Sequence, residues 1–455
     1  MAAFKGEEIL QALGIEKARG SLKNVERVVT NSWQVKPGDL YVALKGDRFD
    51  GHSFLDHAAE AGARGVLVNK DCQWKHAGVT VFPVEDTVIA LGKLARFHRE
   101  RFSIPVIWVT GSVGKTSTKD LIAAALSADH EVLKTQGNFN NEIGLPLTLL
   151  ELNETHRYAV IEMGMRGAGE IAYLAEIAQP TIGVVTNVED VHIERLGSRE
   201  AIALAKSELI SALPAEKSVA FLSNDDPYVI QMKQIAPDEV LTFGRSSDAD
   251  VQGQILIHSR AGLSIQYNYQ GIDGEFFVPL YGRHQLGNSL AAIGVARYLG
   301  IPPLKIQQGL SSLIPSPMRM EPRNVRGIFV LNDAYNANPR SMVAALQTFV
   351  EIGRGHRVAL LGDMFELGEL TGVAHREILL YALNLGIEKF ILTGEAMKQA
   401  QKEILSNRIL YSDNLNELVR YLDENLYNGD SLLVKGSRGM KMEEILKAWS
   451  DSMGS

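Results

Sequence analysis

The stretch Ile104-Pro105-Val106-Ile107-Trp108-Val109-Thr110-Gly111-Ser112-Val113-Gly114-Lys115-Thr116-Ser117 decides the fold. Its first half is an apolar, β-branched run that reads as a buried strand over 104–110, and 115–128 reads as a helix. A glycine-bearing loop between a strand and a helix suits phosphate. Glycines let backbone N–H groups approach the phosphate oxygens, and the helix N-terminus adds a favourable dipole. Lys115 offers a cation to the terminal phosphates, and the Thr116 hydroxyl a ligand to Mg²⁺. Gly111, Ser112, Val113, Gly114, Lys115, Thr116 and Ser117 are therefore the predicted ATP-binding residues. One position departs from the G-x-x-x-x-G-K-[ST] pattern, with Val109 where the pattern has glycine.

On either side, short apolar runs alternate with amphipathic helical segments, the mark of α/β layers. Upstream, strands are predicted at 27–30, 40–44 and 65–68, and helices at 53–61 and 88–101. Downstream, strands at 158–162, 182–186 and 219–222 and a hairpin of 255–258 with 263–267 extend the central layer, which a helix at 286–299 closes. Pro315, Pro317 and Pro322 mark a hinge. Beyond it, strands at 328–332, 358–361, 390–393 and 431–434 alternate with helices in a doubly wound, Rossmann-like pattern that lacks G-x-G-x-x-G. The expected architecture is α/β in three domains: 1–101, then 102–314 with a parallel or mixed P-loop ATPase sheet, then 315–455 with the Rossmann-like sheet. The length of 455 residues fits three domains of about 150.

Hydrophobic residues make up 45% of the chain, charged residues 22%, and the net charge is −8. That balance argues against a nucleic-acid-binding face. The single cysteine, Cys72, makes neither an internal disulfide nor a multi-cysteine metal site. No apolar run reaches the ~18 residues of a membrane span. Residues 1–12 hold Lys5, Glu7 and Glu8 and no signal-peptide core. A cytoplasmic protein that binds small molecules, without nucleic acid or membrane, is expected.

Further residues carry chemistry. Asn138, Asn140 and Asn141 lie in a polar, turn-rich run, 135–146, whose amides suit a sugar or pyrophosphate. Glu162 ends a buried strand beside the P-loop strand, where open α/β sheets place ligands, and is a natural Mg²⁺ ligand.

The loop that opens Thr110-Gly111 and closes Gly114-Lys115-Thr116 resembles that of the Mur ligases and the related folylpolyglutamate synthases. The resemblance spans about 29–443. It implies that the Asn-rich run is a substrate loop, that His192 binds a second metal, and that Lys206 is carbamylated beside two Mg²⁺ ions. Ser207-Glu208 follows that lysine where the family often has Gly-Glu. Gly282-Arg283-His284-Gln285-Leu286-Gly287-Asn288 resembles a family signature in which Asn288 meets the adenine side of ATP. Arg319 would complete a phosphate clamp when the domains close, and Asp333, after a strand, would bind ribose.

Tyr335-Asn336-Ala337-Asn338-Pro339 resembles the members that add D-alanyl-D-alanine to a muramoyl tripeptide. The runs 361–368 and Val434-Lys435-Gly436-Ser437-Arg438 belong to the same pattern. Tyr335, Asn336, Asn338, Lys435 and Ser437 are accordingly expected at the substrate. The runs 36–46 and Phe49-Asp50-Gly51-His52 resemble the family's uridine-nucleotide domain, which implies substrate contacts at Ser32, Gly51 and His52. There Asn31-Ser32-Trp33 replaces the usual Asp-Ser-Arg. The implied activity is ATP-dependent amide formation through an acyl phosphate, by a monomer, with Lys115, Lys206, His192 and Arg319 as catalytic groups. Two other readings stay open: a sibling that adds a single amino acid, and a nucleotide-binding protein without catalysis. The third residue of the acceptor peptide, lysine or diaminopimelate, is also open.

Overall fold

A computed structural model of the chain describes residues 2–46, 49–165, 167–189 and 196–452. Among these residues the strands form three large sheets. The first is parallel and follows chain order: Arg27–Val29, Asp39–Val42, Gly65–Asn69 and Thr80–Val84. Thr80–Val84 carries no clear sequence signal because Pro83 interrupts it. It lies at the sheet edge, where proline is tolerated.

The central sheet runs Ile272–Val278, Gly262–Tyr269, Val251–Ser259, Glu239–Gly244, Val219–Ser223, Ile182–Val185, Val106–Thr110, His156–Glu162, Glu131–Lys134. From Glu131–Lys134 across to Val251–Ser259 all neighbours are parallel, and the remaining two strands fold back antiparallel. The sheet is thus mixed. The expected hairpin is the start of a three-stranded meander. Gln270 and Gly271, at φ 51° and 82°, make the additional turn. Positive φ at both central residues suits a hairpin, yet Gln-Gly lacks the Asn-Gly signature.

Helix Gln285–Tyr298 does not close this layer, contrary to expectation. Helix Pro303–Ser311 follows it and packs on the P-loop helix Lys115–Ser127. The approach is close enough that a Cβ on Gly309 would sit 1.9 Å from the Ala124 carbonyl oxygen.

The third sheet runs Glu321–Val325, Ile328–Asn332, Ser431–Lys435, Arg357–Leu361, Lys389–Leu392, Ile409–Tyr411. All pairs are parallel except the first. Pro322, expected in the hinge, instead lies in that antiparallel edge strand opposite Leu331. The hinge proper is confined to residues before Glu321.

The first two units are joined by a continuous apolar core. Helix Thr87–Arg99 presents Ala90, Leu91, Leu94 and Ala95 to residues from both sheets. Its Gly92 leaves room for Tyr173 and Ile177, and His98 Nε2 meets the Leu152 carbonyl oxygen at 2.9 Å. The third unit takes one central-unit side chain, Tyr281, into its apolar core and is otherwise attached through polar groups. Arg260, near the tip of the meander, donates to Ile352 O at 2.7 Å and Ser431 Oγ at 3.0 Å. Glu351 accepts from His258 at 2.5 Å and from Arg283 Nε at 2.7 Å, and Ser316 Oγ donates to Asp120 Oδ2 at 2.5 Å.

Gly309→Ala should force the two packed helices apart and cost about 1–3 kcal/mol. A clearly lower urea midpoint with an unchanged slope is the expected result; an unchanged midpoint would contradict the packing described.

Candidate active site

The P-loop is shorter than the full pattern because its strand is longer. Val109 is a fully buried strand residue, paired with Val184 and Glu162, so its position belongs to the core. The turn is left to Gly111–Gly114. A Cβ on Gly111 would lie 1.9 Å from Thr186 Oγ1, and one on Gly114, at φ 83°, 2.7 Å from Asn288 Oδ1. The segment after strand Ile182–Val185 cradles the loop. Asn187 Oδ1 accepts from Val113 N at 2.9 Å, while Thr186 Oγ1 and Asn187 Nδ2 donate to Val113 O at 2.9 and 3.0 Å. Ser112 Oγ donates to Glu189 O and accepts from Glu189 N. Ser117 is half-buried in the first turn of the helix.

Lys115 Nζ donates to Gly111 O at 2.8 Å and Ser112 O at 3.1 Å. Desolvation lowers its pKa below the usual lysine range. Glu162 opposes the shift, and the Arg319 guanidinium, from beyond the hinge, reinforces it.

Glu162 is 3% exposed. Its Oε2 accepts from Thr116 Oγ1 at 2.7 Å and its Oε1 from Asn140 Nδ2 at 3.0 Å. Its backbone N–H donates to Thr135 Oγ1 at 3.0 Å. A hydroxyl, a carboxylate and an amide at the end of a P-loop are hard oxygen donors, and this set fits Mg²⁺. Lys206 is buried on helix Arg199–Ser211, and its pKa falls well below the ordinary lysine value through desolvation and the nearby Lys115 charge. Glu208, two residues on, accepts from Gly169 N at 2.7 Å and Ala172 N at 3.1 Å, fixing this helix to the start of helix Glu170–Ala178. His192 lies outside the described residues. Among those described, no cluster of three or more His, Cys, Asp or Glu side chains gathers.

Other expected site residues act on their neighbours. Asn288 is buried; its Oδ1 accepts from Thr118 Oγ1 at 3.1 Å and its Nδ2 donates to Gln285 Oε1 at 2.9 Å, so it stands behind Gly114. Asn141 Oδ1 accepts from Gly144 N at 2.9 Å, at the start of helix Gly144–Leu149. Asn138 O accepts from Asn140 N at 2.8 Å. In the first sheet, Ser32 is buried. Gly51 N donates to Leu44 O at 2.7 Å, and Gly51 O accepts from Tyr41 OH at 2.9 Å. Burial and the Asp50 charge push the Tyr41 pKa up to about 12. Both ring nitrogens of His52 are engaged, Nδ1 with Asp50 Oδ1 at 2.6 Å and Nε2 with Asn69 N at 3.0 Å.

Beyond the hinge, Arg319 lies over the Tyr335 ring at 3.9 Å. It is flanked by Met318 and Met320 at φ 59° and 50°, left-handed conformations that side chains rarely adopt. Asp333 holds this backbone, with Oδ1 accepting from Met320 N at 3.0 Å and Oδ2 from Lys435 Nζ at 2.5 Å. Lys435 also donates to Asn336 O at 2.9 Å. Ser437 Oγ accepts from Phe365 N at 2.8 Å and donates to Ala337 O, while Asn338 caps helix Pro339–Ile352. Tyr335–Asn338, Phe365–Leu367 and Ser437–Gly439 line a cavity of about 240 Å³. Phe365, Glu366 and Arg438 at this cavity belong to the runs 361–368 and 434–438 that carry the family resemblance, but sequence alone assigns them no site role. Glu366, at φ 63°, is the strained residue of its wall.

Three family models match in chain order. The Mur ligase family catalytic domain covers 24–99, the Mur ligase middle domain 109–296, and the Mur ligase glutamate ligase domain 318–438. The chain is 38% identical over 445 residues to the UDP-N-acetylmuramoyl-tripeptide–D-alanyl-D-alanine ligase of Bacillus subtilis, covering 95% of this chain and 96% of that one. The Escherichia coli protein of the same name is 33% identical over 442 residues, with 95% and 96% covered. The crystal structure of MurF from Acinetobacter baumannii superposes with a TM-score of 0.90 at 28% identity, covering 99% of both chains. That of MurF from Thermotoga maritima in complex with ADP gives 0.84 at 30% identity, covering 94% and 98%. Matched along its length in sequence and in fold, the chain belongs to the Mur ligase family.

Proposed function

We propose that the chain joins D-alanyl-D-alanine to UDP-N-acetylmuramoyl-tripeptide with consumption of ATP, in peptidoglycan precursor synthesis. The observation that carries this reading is the convergence of Lys115, the Thr116–Glu162–Asn140 hydrogen-bonded set and buried Lys206, with the Arg319 charge acting on Lys115 from beyond the hinge. The names of the relatives supply the two substrates.

In the proposed division of labour, residues 1–101 hold the uridine nucleotide, 102–314 hold ATP, and 315–455 bring the dipeptide. A tripeptide carboxylate oxygen attacks the γ-phosphorus, and ADP leaves. The amine of D-alanyl-D-alanine then attacks the acyl carbon, loses a proton, and expels phosphate. Lys115 and Arg319 neutralise charge that grows on the transferring group. Gly111–Ser117 bind the phosphates. Asn288 keeps Gly114 and Thr118 in place on the adenine side, and Asp333 sets the backbone of Arg319. Ser32, Gly51 and His52 shape the nucleotide site, and Asn138, Asn140 and Asn141 the loop that meets the muramoyl phosphate end. Tyr335, Asn336, Asn338, Lys435 and Ser437 form and brace the dipeptide cavity. Mg²⁺, held by Thr116 and Glu162 and at a second position by His192 and carbamylated Lys206, would supply further charge neutralisation.

Lys206 fits carbamylation on chemical grounds. Its lowered pKa favours the neutral amine, the form whose nitrogen attacks CO₂ and then releases a proton to leave a carbamate. We take the protein to act as a monomer in the cytoplasm. No helix among the described residues is long and apolar enough to cross a membrane.

Phosphate release should require ATP, the UDP-linked tripeptide and D-alanyl-D-alanine together, and should not proceed with D-alanine or single L-amino acids. Equal release with a single amino acid would overturn the dipeptide assignment. Lys206→Ala should lower kcat by roughly 10²–10³, the scale of one lost electrostatic stabiliser. CO₂-depleted buffer should slow the wild-type enzyme reversibly. Full activity of Lys206→Ala would contradict the carbamate.

A further inference from the structure

We propose that the Trp33 indole is the stacking surface for the uracil base of the nucleotide substrate, with His57 packed against it. This rests on the reading of that substrate as a UDP-linked peptide. Trp33 follows strand Arg27–Val29 at the carboxyl end of a parallel sheet, the edge on which open α/β sheets bind ligands. Ser32, its neighbour, is 5% exposed, whereas Trp33 is 76% exposed. The local backbone divides the two residues in this way. Asn31 Oδ1 accepts from Trp33 N at 3.0 Å and caps the short 3-10 turn Ser32–Gln34, which turns Ser32 inward and the indole outward.

The indole is held in place. Its ring meets that of His57 with centroids 4.4 Å apart and planes at 54°. His57 Nδ1 is buried without a hydrogen-bond partner, so packing rather than a polar bond keeps the pair together. The high exposure means that His57 covers only a small part of the indole. Trp74, which meets helix Leu55–Glu60 at the residue before His57, is already engaged, with Nε1 donating to Asp56 Oδ1 at 2.7 Å and its ring stacked on His76.

The substrate decides what such a surface can take. A UDP-linked muramoyl peptide carries charge on its diphosphate and carboxylates, hydroxyls on its sugars, and one flat π system, the uracil. An arginine at position 33 would suit a phosphate through its forked N–H donors. Tryptophan offers no cation and a large flat face, and base–aromatic stacking is tolerant of which base is stacked. The contact that Trp33 offers is therefore a stacked one and not an ionic one.

The test titrates UDP into enzyme saturated with ADP, so that the P-loop is occupied, with tryptophan emission and calorimetry as readouts. Wild-type emission should change on UDP binding. Trp33→Phe should lose that signal yet bind UDP within about threefold, because a ring remains. Trp33→Ala should bind UDP roughly tenfold more weakly, the scale of one lost stack. Its KM for the UDP-linked tripeptide should rise by a similar factor while its KM for ATP holds. Equal UDP affinity in Trp33→Ala and wild type overturns the proposal, as does wild-type binding of UDP with no change in emission. Failure of the functional reading is separable: wild type then releases no phosphate with the UDP-linked tripeptide, while the UDP titration still decides the stacking.

Discussion

The 2.7 Å hydrogen bond from the Thr116 hydroxyl to the Glu162 carboxylate is the contact on which the site depends. A carboxylate this buried is costly unless it is hydrogen-bonded and faced by positive charge. Thr116, Asn140 and the nearby Lys115 meet that need, and in doing so they draw the P-loop helix, the Asn-rich run and the end of strand His156–Glu162 together. The hydroxyl and carboxylate so paired are the oxygen donors a divalent cation would take. Lys206 lies in the same field, where desolvation and the Lys115 charge favour its neutral amine.

The attachments between units differ in kind, and the proposed mechanism uses that difference. Helix Thr87–Arg99 buries one apolar core against both the first and the central sheet, so the first unit and the P-loop are packed as one body. The third unit is held by Arg260, His258, Arg283 and Ser316 through hydrogen bonds and ion pairs, with Tyr281 the one central-unit side chain in its buried apolar core. Polar contacts exchange with water at little net cost, whereas separating a packed apolar core does not. A carboxylate and ATP held rigidly, with the amine delivered by a separately hinged unit, suits a reaction that must finish one displacement before the next nucleophile arrives. The left-handed Met318 and Met320 on either side of Arg319 place backbone strain at this joint, where sites commonly store it.

The sequence was legible where a pattern and its physical cause coincide. The strand, glycine loop and helix around Lys115 stand as read, and Val109 is explained by the strand running through it. Short strands such as Glu131–Lys134 and Ile409–Tyr411 left no periodic signal, and the Gln270-Gly271 turn hid a third meander strand. Sequence also could not separate residues that face a ligand from those that brace them. His52, Asn141, Asn288 and Lys435 are polar residues in telling places, yet each side chain is engaged with its own protein neighbours. That distinction depends on where side chains point after folding. The burial of Lys206 was equally invisible, since a lysine on an amphipathic helix ordinarily faces water.

The central claim is that this site activates a carboxylate by phosphorylation. The most direct measurement labels the terminal carboxylate of the UDP-linked tripeptide with ¹⁸O and follows the label by mass spectrometry after turnover with ATP and D-alanyl-D-alanine. An acyl phosphate predicts one ¹⁸O in the released phosphate and none in ADP. Phosphate free of label, or label found in a nucleotide product, would contradict the account.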